Sequence, residues 1–170
     1  FNADGYEVNP VIISPDRKAQ LNRNLMLFFT GFSRFSSDIQ KTTQKDMADK
    51  ERQLLEMLSL VDEAERVLTT KTDLNEFGRL LDYTWKLKRG ISSGISTDSI
   101  DGLYAKGIEA GALGGKLLGA GGGGFLLFYV EEDKREAVAK AMEDLLYVPF
   151  QFENSGTRVI HYTAEMYEKR

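Results

Sequence analysis

Two hydrophobic periods run along this chain, and the switches between them mark out its elements. Leu25-Met-Leu-Phe-Phe29 is continuously apolar, which predicts a strand buried on both faces or part of a buried helix. Upstream, Phe1-Asn-Ala, a turn at Asp4-Gly5 and the stretch from Tyr6 to Ile13 read as a hairpin, broken off by Ser14-Pro-Asp-Arg17. Thr30-Gly31 turns the chain, and Ser33 is placed to cap a long helix. The later half of that helix shows Leu54, Met57/Leu58, Val61, Ala64 and Val67/Leu68, the three-to-four spacing of one buried face. Its middle, Gln40 to Lys50, is polar and leaves room for a break.

Asp73 with Glu76 three residues on gives a start resembling a capping box for a second helix, striped by Leu74, Phe77, Leu80/Leu81, Thr84 and Leu87/Lys88. Gly90 to Thr97 is a Ser/Gly loop. A third helix follows from about Asp98, with Ile100, Leu103 and Gly107/Ile108 inward and Gly111 as its stop. The period then drops to that of strands, Ala112 to Leu118 and Gly124 to Val130. An amphipathic helix, Glu132 to Leu146, carries Val138, Met142 and Leu145. Val148, Phe150 and Phe152 alternate before a turn at Asn154-Ser-Gly156 and a final strand ending near Tyr162. Strand, helices, strand, strand, helix, strand predicts an α+β fold, a ferredoxin-like split βαβ sheet with extra helices in the first crossover.

Between Gly111 and Gly124 lie eight of the chain's 16 glycines, and Phe125-Leu-Leu-Phe-Tyr-Val130 follows directly. A linker would be rich in Ser and polar residues and would not be clamped between apolar runs. Successive N–H groups without side chains can converge on an anion, and phosphate is the anion such loops most often hold. Gly119-Ala-Gly-Gly-Gly-Gly124 fits G-x-G-x-x-G, but the dinucleotide fingerprint opens a helix and here a strand follows. Gly115-Lys116 fails as a Walker loop, because Ala110 replaces its first glycine and Leu117 its magnesium-holding hydroxyl. A tight hairpin remains the plainer alternative, yet it needs one or two glycines rather than the run present here.

Lys116-Leu-Leu-Gly-Ala-Gly-Gly-Gly-Gly-Phe125 resembles in full the third motif of the GHMP small-molecule kinases. Phe29-Thr-Gly-Phe-Ser-Arg34, Trp85-Lys-Leu-Lys-Arg-Gly-Ile-Ser-Ser-Gly-Ile95 and Ile100-Asp-Gly-Leu-Tyr104 resemble one branch of that family. That branch phosphorylates D-glycero-D-manno-heptose 7-phosphate at its anomeric hydroxyl. The resemblance runs from about Asn24 to Tyr162 and implies the family's C-terminal domain from residue 21 to 170, with 1 to 20 belonging to an N-terminal domain. It further implies ATP and Mg²⁺ as cofactors, a sugar phosphate as substrate and the N-terminal domain as partner. Gly119, Ala120, Gly121, Gly122 and Gly123 would line the nucleotide phosphates. A fucose- or galactose-type sugar 1-kinase is the nearest alternative, and a non-catalytic small-anion-binding regulatory module the rival from another class.

Composition narrows the setting. A net charge of −4 argues against a general nucleic-acid binder, and zero cysteines exclude disulfides and thiolate metal sites and suit a reducing, cytoplasmic compartment. No apolar run approaches the roughly 18–20 residues of a membrane span.

The remaining candidates carry charge. A cation in the first turn of a helix opposes the macrodipole, so Arg34 makes sense beside a substrate phosphate; equally it could pair with Asp38 on the surface. Lys86, Lys88 and Arg89 are ordinary for a helix's last turn, but Ser92, Ser93 and Ser96 then precede a helix N-terminus, itself an anion site. In the family this region faces the sugar phosphate, which points to Lys88 and Ser93 as substrate contacts. Trp85 reads as core, His161, the single histidine, as structural rather than part of a triad or metal site, and Asp98 and Asp101 as caps rather than magnesium ligands. The family's other phosphate loop, Pro-x-x-x-Gly-Leu-Gly-Ser-Ser, has no counterpart in this sequence, and the resemblance implies that the magnesium ligand and catalytic aspartate also lie mainly in the N-terminal half. No catalytic residue or metal ligand is therefore expected within these residues, and the chain alone is expected to have little or no kinase activity.

Overall fold

The computed structural model describes residues 5–31, 50–91, 94–119, 121–159 and 161–162. The elements run α1 (Pro15–Asn24), β1 (Leu25–Phe29), α2 (Glu51–Thr69), α3 (Asn75–Arg89), α4 (Asp98–Glu109), β2 (Ala112–Leu117), β3 (Phe125–Val130), a 3₁₀ turn (Glu132–Lys134), α5 (Arg135–Ala141) and β4 (Leu146–Tyr147). The sheet order is β2-β3-β1-β4 with every neighbour antiparallel, the ferredoxin-like arrangement expected. Helices from the long first crossover pack onto it.

β1 and β3 are apolar throughout because both sheet faces are covered. Alternation sends Met26, Phe28, Leu126, Phe128 and Val130 into one core, and Leu25 and Tyr129 into a second. In the first, Phe128 meets Phe28 edge-on at 6.3 Å and stacks on Tyr104 of α4 at 5.8 Å. The edge strand β2 is small by necessity. A Cβ on Gly114 would lie 1.9 Å from the Gly78 carbonyl of α3, so only glycine lets helix and strand backbones touch. Two glycines of the run, Gly114 and Gly115, thus belong to the sheet and its packing rather than to the loop.

The helix stripes are largely as expected. The Asp73 carboxylate accepts from Asn75 N–H at 3.1 Å at the head of α3, and Thr97 caps α4 through Ile100 N–H. Trp85 is core, at 1% exposure. On α2, Leu54 and Met57 face one core and Val67 and Leu68 the other, but Leu58 and Val61 are exposed. Asp101 is not a cap; it accepts from Arg89 and from Ser96, both at 2.6 Å, and so clasps the end of α3 to the start of α4.

Other expectations change. Residues 6–14 form no strand, and Ser14-Pro15, read as a break, is instead the N-cap and first residue of α1. Arg17 fastens that helix by donating to the carbonyls of Val67, Leu68 (2.8 Å) and Thr72 (2.7 Å) at the end of α2. The helix expected from Glu132 to Leu146 ends at Ala141, because the chain must reverse before Leu146 and Tyr147 pair with Phe29 and Phe28. The described residues of 148–162 form no strand. Phe150 packs in the second core, while Asn22 of α1 bonds the Phe150 carbonyl and the Phe152 N–H, taking the place of a neighbouring strand. Ser33 and the stretch from Gln40 to Asp49 lie outside the described residues.

Candidate functional site

The glycine run between β2 and β3 makes the connection expected of it, and the positions that matter are glycine for a backbone reason. Gly119, Gly121, Gly122 and Gly124 all have positive φ, at 89°, 123°, 72° and 112°. The base of the loop is closed by Leu118 N–H donating to the Phe125 carbonyl at 2.8 Å. Its far end is held by Thr30 at the close of β1: the Thr30 N–H and hydroxyl both donate to the Gly124 carbonyl, and Gly124 N–H donates back to the hydroxyl at 3.2 Å.

The middle of the loop docks on the turn between α3 and α4. Gly122 N–H donates to the Ile95 carbonyl at 3.0 Å, and a Cβ on Gly121 would stand 2.7 Å from that oxygen. Ile95 is itself buried at 2% exposure, so the loop rests on a fixed support. The Gly122 amide is therefore spent inside the protein and is not one of the bare donors expected from the sequence. Among the described residues, the N–H groups of Gly119, Gly121 and Gly123 have no acceptor.

Lys88, in the last turn of α3, reaches the near end of the loop and donates to the Gly119 carbonyl at 3.0 Å. Lys116, two residues before the loop on β2, is the residue sequence reasoning passed over, although it opens the glycine motif. Burial first, and then the charge of Lys116, hold the Lys88 ammonium below the ordinary lysine value. Three unpaired N–H groups and two ammonium groups make a donor set suited to phosphate oxygens and unsuited to a cation.

Of the other expected residues, Arg34, Ser93 and Ala120 lie outside the described residues. Beside the turn that carries Ile95 lies an open polar depression of about 570 Å³, lined by Lys86, Arg89, Gly90, Ser96, Thr97, Asp98 and Asp101. Among the described residues no group of His, Cys, Asp and Glu side chains could hold a metal ion, and no helix is long and apolar enough to cross a membrane.

Comparison with known proteins identifies the family and the fold. The family model described as GHMP kinases C terminal matches residues 60–148. The chain is 30% identical over 162 residues to D-glycero-alpha-D-manno-heptose 7-phosphate kinase of Campylobacter jejuni, covering 93% of this chain and 48% of that protein. The chain thus spans about half the length of that relative. Mevalonate kinase of Methanococcus jannaschii superposes with a TM-score of 0.65 at 23% identity, over 80% of this chain and 42% of that one. D-glycero-D-manno-heptose 1-phosphate kinase of Bacteroides thetaiotaomicron does so with a TM-score of 0.53 at 24% identity, over 86% and 38%.

Proposed function

The chain belongs to the GHMP kinases, whose C-terminal part it matches, and from that premise we propose that the protein carrying it phosphorylates a heptose 7-phosphate at the anomeric hydroxyl with ATP. The observation that carries the proposal is the glycine loop, with three unpaired N–H groups beside the ammonium groups of Lys88 and Lys116. Phosphoryl transfer needs positioning and stabilisation of charge spread over the equatorial oxygens more than covalent chemistry from the protein. Donors fixed before the reaction, on a loop tied to β1, α3 and the α3–α4 turn, supply that without reorganising. Mg²⁺, when bound with ATP, would neutralise charge on the β- and γ-phosphates; none of the residues described here is assigned to it.

Within this reading Gly119, Gly121 and Gly123 donate to the transferring phosphate, and Lys116 adds charge. Gly122 shapes the loop rather than contacting the nucleotide. Arg34, Ser93 and Lys88 are proposed for the sugar's own phosphate. Lys88 can serve there while bonded to Gly119, because an ammonium has three donors. Catalytic groups are proposed to lie in an N-terminal domain, so that these 170 residues alone have little or no turnover.

The test uses the full-length protein with ATP and a panel of free and phosphorylated sugars. The proposal expects heptose 7-phosphate to be the preferred acceptor, and the double variant Arg34→Met with Ser93→Ala to raise KM for it more than KM for ATP. Preference for a free hexose such as fucose or galactose would move the protein to a sugar 1-kinase. No transfer to any sugar would leave a module that binds small anions without catalysis.

A further inference from the structure

We propose that Lys88 is a positioning residue that sets the near end of the glycine loop through the Gly119 carbonyl, a role that rests on the kinase reading of that loop. The loop's four ties are unequal, and the Leu118–Phe125 bond at its base stops one residue short of Gly119. Its far end has three hydrogen bonds to Thr30, and its middle has the Gly122–Ile95 bond with the Gly121 backbone pressed against Ile95. Gly119 is exposed, and nothing lies within 4 Å of where its Cβ would be. Among the described residues the 3.0 Å bond from Lys88 is the one hydrogen bond that Gly119 makes, and it is the contact that holds this residue's carbonyl.

The cost of putting an ammonium there strengthens the inference. A lysine in a helix's last turn can keep its ammonium at the surface, as Lys86 does at 63% side-chain exposure while pairing with the Asp82 carboxylate at 2.6 Å. Lys88 instead sits half-buried, near a second cation, with one donor committed to a main-chain oxygen. An anion arriving at the loop would relieve the repulsion between Lys88 and Lys116 while the bond to Gly119 keeps the neighbouring N–H groups aimed. Lys88 therefore links occupancy of the loop to its shape, a task that a plain substrate contact would not perform.

The experiment compares wild type, Lys88→Met and Lys88→Arg in the full-length protein, by steady-state kinetics and by hydrogen–deuterium exchange over 118–124. The methionine keeps the stem and removes the donor; the arginine keeps both donor and charge. The expected result for Lys88→Met is a kcat lower by about tenfold to a hundredfold, the scale of an ångström-sized misplacement, with KM for ATP changed by no more than about threefold. Exchange should accelerate at 118–121 and stay unchanged at the Thr30–Gly124 end, and Lys88→Arg should recover most of both effects. A raised KM for the sugar phosphate with kcat and exchange unchanged would overturn the positioning role while leaving the kinase reading intact. Faster exchange in a protein that phosphorylates nothing would support the positioning role and remove the kinase reading.

Discussion

An alanine at position 121 would meet two obstacles at once. The Gly121 φ of 123° lies far from the left-handed well near +57° that an L-residue tolerates, and strain of this kind costs about 1–3 kcal/mol. The new Cβ would also stand 2.7 Å from the Ile95 oxygen and 2.8 Å from its Cα, both main-chain atoms that no rotamer change can move. Overpacking against a fixed neighbour adds about 1–3 kcal/mol, for a total of roughly 2–6 kcal/mol. Gly119→Ala is the control: φ is 89° and the space is empty, so it bears only a left-handed penalty of roughly 1–2 kcal/mol. In a domain of this size each 1 kcal/mol lowers Tm by about 2–4 °C. Thermal and urea unfolding of the two variants should rank Gly121→Ala clearly below Gly119→Ala. Equal losses would refute the claim that the loop is pressed against Ile95.

Two further outcomes follow from groups outside the loop. The Tyr104 phenol donates to Asp82 at 2.8 Å, and burial, followed by that bond, pushes its pKa far above the ordinary 10.0. Above pH 10 the unfolded chain sheds a proton that the folded chain keeps, so wild-type stability should fall by up to about 1.4 kcal/mol per pH unit more steeply than that of Tyr104→Phe; parallel profiles would contradict the buried phenol. Arg17→Met should cost about 1–3 kcal/mol, read as a lower urea midpoint, because three carbonyls at the end of α2 lose a charged donor together. An unchanged midpoint would mean that water replaces the guanidinium without loss.

Much of the fold is legible wherever periodicity reports burial directly. The run from Leu25 to Phe29 is apolar because α1 and the crossover helices leave neither face of β1 wet, and the stripe of α4 names the side packed on Phe128. The misreadings fall where a distant partner decides. Ser14-Pro15 starts a helix because Arg17 finds the end of α2, fifty residues on. Phe150 and Phe152 alternate like a strand, yet their polar backbone groups are satisfied by Asn22. The glycine run is dense for two reasons that one-dimensional reading merges: Gly114 admits the backbone of α3, whereas Gly121 turns against Ile95. Lys88 looks like dipole compensation because spacing along α3 cannot reveal that its ammonium ends on Gly119. Within the loop, Gly122 reads as one donor among several, and only the Ile95 carbonyl opposite distinguishes it.

A glycine-selective ¹⁵N spectrum of the full-length protein, titrated with a non-hydrolysable ATP analogue and the sugar phosphate, addresses the loop's role most directly. The N–H signals of Gly119, Gly121 and Gly123 should shift on saturation, while that of Gly122, already bonded to Ile95 at 3.0 Å, moves least. Saturation by nucleotide with those three signals unmoved would contradict a phosphate-accepting loop.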